Sequence, residues 1–71
     1  MATIITAQYQ NNQAAGNAVD DLISTGVPQE RIATDPDHWR VIVTTGPLAE
    51  PEIAEILNRH QPTEMHTRAG D

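Results

Sequence analysis

The chain has 71 residues, 38% of them apolar, with no cysteine, no phenylalanine and a formal net charge of −6 from ten acids against four arginines. A chain this short buries only about 60% of the surface that its unfolded form exposes, which predicts one domain over residues 1–71 with a thin core. The missing cysteines exclude a disulfide framework, a thiolate zinc site and a cysteine nucleophile. The acidic balance argues against nucleic acid and anionic membranes, since both are bound through Lys and Arg.

The opening MATIITAQYQ has neither a basic segment nor a long apolar run, and no stretch approaches the roughly 20 apolar residues of a membrane span, so a soluble cytoplasmic protein is expected. Within it, Thr3 to Tyr9 is β-branched and short, as a strand should be. Alternation sets Ile5, Ala7 and Tyr9 on one face and Ile4, Thr6 and Gln8 on the other. The amides Gln10 to Gln13 lead into AAGNAVDDLISTGVP, where Ala15, Val19, Leu22 and Ile23 recur at helical spacing. Asn11 or Asn12 can cap this helix, and Gly26 followed by Val27 and Pro28 can stop it.

A short second strand is expected over Arg31 to Thr34, and Trp39 to Thr45 (WRVIVTT) carries the strongest strand signal in the chain. Its alternation places Trp39, Val41 and Val43 opposite Arg40, Ile42 and Thr44. Asp35 to His38 fits a type I turn with Asp first and Pro second, so the two strands should form an antiparallel hairpin.

Gly46 and Pro47 break that strand. The helix PEIAEILNRH then has Pro51 in its first turn, acids at its amino end, and Arg59 and His60 at its carboxyl end. Ile53, Ile56 and Leu57 form its apolar stripe, with His60 continuing it, and Pro62 ends it. Thr63 to Arg68 reads either as a polar tail or as a fourth strand, with Thr63, Met65 and Thr67 alternating against Glu64, His66 and Arg68.

With the last segment as a strand, the order is β-α-β-β-α-β, the ferredoxin-like split βαβ arrangement of the α+β class. Right-handed crossovers then give a four-stranded antiparallel sheet in the order 4-1-3-2 with two helices on one face. The uncovered face would carry Ile4, Thr6, Arg40, Ile42, Thr44, Glu64 and His66. Two isoleucines ringed by polar groups make that face a candidate contact surface, most simply for a second copy, because small cores gain from oligomerisation.

Other candidates are each matched by a structural explanation. His38 with Asp35 and Asp37 could bind a divalent metal, but an Asp-Pro turn explains the same residues. Trp39 could stack a flat ligand or close the edge of the core. Asn11 and Asn12 beside Tyr9 could hold an anion at a helix start, or simply cap it. A sensor of a small ligand, anion or metal using this loop and residues 35–40 is therefore the alternative to an interaction module. No catalytic residue, metal site or cofactor is assigned. Acylphosphatase-like hydrolysis is disfavoured because the loop after the first strand lacks the arginine and glycines that would cradle a phosphate. RNA binding by the sheet is disfavoured because its open face has no aromatics.

Two stretches carry a family resemblance. In AVDDLISTGVPQERI, Ala18 to Ile32, a helix runs into Gly, a hydrophobe, a proline turn and an Arg-Ile strand start. In EIAEILNRHQPTEMHTR, Glu52 to Arg68, an Ala/Ile/Leu helix ending in His leads to a short alternating strand. Together they cover about half the chain and resemble the small bacterial general stress protein domain described as heat-induced. The resemblance implies a ferredoxin-like fold, a stress connection and no catalytic residues to carry over. The short DPDH link and the QYQNNQ entry depart from the family pattern.

Overall fold

Seven elements follow one another in a computed structural model that describes residues 2–70, with Met1 and Asp71 outside the described residues. They are β1 (Ala2–Gln8), α1 (Asn12–Thr25), a single 3-10 turn (Gln29–Arg31), β2 (Ile32–Asp35), β3 (Arg40–Thr45), α2 (Glu50–Arg59) and β4 (Glu64–Gly70). One antiparallel sheet runs in the order β2-β3-β1-β4, so the chain has the ferredoxin-like β-α-β-β-α-β fold.

Register fixes which side chains meet the helices. Ile5 lies opposite Val43 and Thr67, and Ala7 opposite Val41 and Met65. Ile5, Ala7, Val41 and Val43 are fully buried, and they share one core with Ala15, Ala18 and Leu22 of α1 and Ile53, Ile56 and Leu57 of α2. All of these sheet residues belong to one alternation, so both helices cover the same side. Ile32 and Met65 are partly buried at its margins.

Local chemistry sets the helix ends. Asn11 is extended and its Oδ1 accepts from the Ala14 N–H at 2.8 Å, a side-chain N-cap. Gly26 has φ of 113°, its N–H donates to Ile23 O, and the Val27 N–H donates to Leu22 O, both at 3.0 Å. This paired bonding past the helix end requires a left-handed residue, which glycine supplies without steric penalty. In α2 no side chain caps the start, but Pro51, Glu50 and Glu52 occupy the first turn, where a missing N–H and negative charge are both tolerated.

Several expected details differ. The α1 stripe is Ala15, Ala18 and Leu22, while Ile23 is 42% exposed. Spacing of three and four residues keeps the two alanines and Leu22 on one line, and the small alanines bring the helix close to the sheet. Trp39 does not begin β3: it sits in the hairpin turn at φ 53° and is 40% exposed. Asp35 pairs with Arg40, which leaves a four-residue loop whose last member must turn left-handed, and strand alternation never reaches the tryptophan. β2 begins one residue later than expected, after the 3-10 turn. β4 is a strand, not a tail, and runs on to Gly70.

Tyr9 closes the core. It is 1% exposed, its N–H donates to Trp39 O at 2.9 Å, and its hydroxyl donates to Leu57 O at 2.8 Å. Burial pushes its phenol from 10.0 up to about 12. With no lysine, no cysteine and one tyrosine in the chain, Tyr9 is the one side chain that titrates between about pH 9 and pH 12. The folded value lies above the unfolded one, so this contribution is complete below about pH 10 and is lost as pH rises toward 12. Urea unfolding should therefore show stability falling across that interval by at most about 1.4 kcal/mol per pH unit, and Tyr9→Phe should abolish the slope.

Candidate functional site

The side of the sheet away from the helices has no cover among the described residues. Three rows cross it: Glu64, Gln8, Arg40 and Asp35; His66, Thr6, Ile42 and Ala33; and Arg68, Ile4 and Thr44. β-branched Ile4, Thr6 and Ile42 hold the middle and are half-buried by their neighbours. Ile4 lies over Gly70, where an added Cβ would come within 2.9 Å of its Cδ1 and Cγ1. Glycine there lets the isoleucine lie down on the sheet rather than stand away from it.

Long polar side chains rise around this middle and enclose a concavity of about 320 Å³ lined by Thr6, Gln8, Arg40, Glu64, His66 and Arg68. His66 Nε2 is 3.4 Å from Glu64 Oε2, and Arg40 reaches Asp35 at 4.0 Å. Arg68 makes no ion pair among the described residues. On this side, then, two arginines stand against two carboxylates. The helices differ: Asp20, Asp21, Glu50, Glu52 and Glu55 stand against Arg59 alone. The acidic charge of the chain is concentrated on the helical layer, and the open side is nearly balanced.

Ile4, Thr6, Arg40, Ile42, Thr44 and His66 lie together on this side, as the alternation predicts. Gln8 and Arg68 complete the concavity and were not among the expected contact residues. Their signal was available, because both fall on the same alternation as Thr6 and His66.

The alternative ligand residues are dispersed. Tyr9 is in the core, and Asn11 is occupied as a cap. His38 Nδ1 lies 3.0 Å from Asp35 Oδ2, and the His38 backbone N–H donates to Asp35 O at 3.2 Å, which closes the turn. Of these residues Asn12 and Trp39 share a groove, of about 240 Å³, which Ala15, Gly16 and Val19 also line. A larger concavity, about 390 Å³, was not anticipated. It lies between the carboxyl end of α1 and the first turns of α2, with Arg31 at its margin. Elsewhere His60 Nε2 is 3.0 Å from Asp21 Oδ2, with Arg59 at 4.0 Å, tying α2 to α1. Among the described residues no three His, Cys, Asp or Glu side chains converge as a metal site, and no helix is long and apolar enough to cross a membrane.

No protein-family model, curated protein or solved structure matches this chain.

The hydrogen bond from His38 is the main cause holding the Asp35 carboxyl below its ordinary value; the charges of His38 and Arg40 act in the same direction. A lowered folded value means that the turn gains stability above the unfolded carboxylate range and loses it as pH falls through the folded value. Carboxyl carbon NMR should show Asp35 titrating below a free aspartate, and His38→Ala should move the midpoint back up.

Proposed function

We propose that this chain is a non-enzymatic interaction module that associates with a second copy of itself through the open side of the sheet, including the strand edge that borders it. The observation that carries the reading is the separation of charge between the two layers. Two copies approaching by their helices would bring like charges together, whereas the sheet side offers half-buried isoleucines within a nearly balanced ring of charge. A core made of aliphatic side chains and one tyrosine gains from such association. The likeness of Ala18 to Ile32 and Glu52 to Arg68 to the bacterial general stress domain adds a stress-related role in the cytoplasm to the same proposal.

Sedimentation equilibrium over a wide concentration range tests it. A dimer is expected, and a monomer at every concentration would remove the reading. If the centre of the face is in the contact, Ile42→Glu should weaken association by about tenfold or more, since it places an unpaired carboxylate where an apolar surface is covered.

A second reading rests on the groove beside Trp39, where an indole, Asn12 and the α1 surface at Gly16 come together. A flat small molecule seated there would quench Trp39 fluorescence and shift the amides of Asn12 and Gly16. Unchanged spectra across a panel of metabolites, phosphate and divalent metals would count against this sensor role.

A further inference from the structure

The two edges of the sheet are built differently. β2 has four residues, with Pro36 directly after it and Pro28 shortly before it, and β3 covers its other side. Short length and nearby prolines blunt an edge against pairing. β4 has seven residues without proline, and among the described residues it pairs with β1 alone. An edge of that length presents a row of backbone N–H and C=O groups to whatever can pair with it.

The bonding phase identifies those groups. Tyr9 N–H donates to Trp39 O, in step with the β1–β3 register that pairs Ala7 with Val41 and Ile5 with Val43. In an antiparallel ladder bonded pairs alternate, so the odd residues of β1 bond β3 and the even ones bond β4. β4 therefore turns Glu64, His66 and Arg68 toward β1 for backbone bonding, through their partners Gln8, Thr6 and Ile4. The N–H and C=O of Met65 and Thr67 point outward.

We infer that β4 pairs antiparallel with β4 of a second copy about a two-fold axis at His66, joining the two sheets into one of eight strands. This rests on the self-association proposed above and selects the edge rather than the centre of the face. In this register Met65 and Thr67 exchange backbone hydrogen bonds with Thr67 and Met65 of the second copy. Glu64 then stands directly opposite Arg68 of the second copy, and Arg68 opposite Glu64, both at non-hydrogen-bonded positions, where side chains come closest. Shifting the strand by two residues either way keeps the backbone phase but removes these pairs. Arg68, without an ion pair among the described residues, gains one in each copy of the dimer. The charges that would deter unrelated strands thus favour this chain's own edge.

Charge reversal tests the register. Glu64 and Arg68 are exposed, so Glu64→Arg and Arg68→Glu should fold normally, as checked by thermal unfolding. Each variant alone should dimerise about tenfold or more weaker than the wild type, because both cross-strand pairs become repulsive. An equimolar mixture of the two should form a heterodimer about as tight as the wild-type dimer, since every opposed pair is again of opposite sign. Exchange of the Met65 and Thr67 amides should slow in the dimer and quicken on dilution. A wild type that stays monomeric overturns self-association and this pairing together. A wild-type dimer that is indifferent to both reversals but disrupted by Ile42→Glu overturns the β4 pairing alone. Two weakened variants that do not rescue each other overturn the register.

Discussion

The bond from the Tyr9 hydroxyl to the Leu57 carbonyl joins the exit of the central strand to the last turn of α2, and the rest of the domain depends on that junction. β1 is paired on both sides, so its position sets β3 and β4, while Tyr9 sets α2 against it. A phenol is the largest side chain in this core, and the others are Ile, Leu, Val and Ala. Its ring supplies apolar area that the aliphatic residues cannot, and its hydroxyl finds an acceptor in a last-turn carbonyl that otherwise holds only a long bond of 3.3 Å from the His60 N–H. The bond is local in space but spans 48 residues of sequence, so it ties the first element to the sixth.

Much of this was legible in the sequence because a one-sided sheet enforces strict alternation. Ile5, Ala7, Val41 and Val43 could be assigned to one face, and Ile4, Thr6, Arg40 and Ile42 to the other, since slipping a strand by one residue would exchange core for surface. The strand order followed from handedness, and the α1 ends from Asn11 and Gly26. Trp39 was not legible in the same way. Its flanking Arg40 and Val41 belong to a strand, but the Asp35–Arg40 pairing leaves the tryptophan as the final loop residue, and loop length rather than hydrophobicity determines its backbone. Ile23 misled for a related reason: one residue past Leu22 is about 100° around a helix, enough to leave the buried stripe when alanines have drawn the helix close.

The candidate surface was less legible than the fold. Alternation placed Arg68 and Gln8 on the open side, but only the pairing of β4 with β1 brings Arg68 beside Ile4 and Glu64 beside Gln8. Charge is also a property of the layer rather than of any segment. Asp20 and Asp21 lie on one helix, Glu50, Glu52 and Glu55 on the other, and they form one acidic surface only because both helices cover the same side of the sheet. A net charge of −6 read from the sequence says that the molecule repels its copies on average; the fold shows where that repulsion is strong and where it nearly vanishes.

That unequal distribution connects the thin core to the open sheet. A domain of this size with one buried aromatic has little apolar area to hide, and it still leaves Ile4 and Ile42 half-buried on the sheet's second side. Covering that side with a third helix would need more chain, and charges placed in its middle would oppose the association proposed for it. Isoleucine and threonine in the middle, with arginine and glutamate on the bordering strand, meet both demands. The β-branched residues support strand structure by packing along the sheet, and the charged ones keep the edge hydrated while carrying the charge order that the proposed pairing requires.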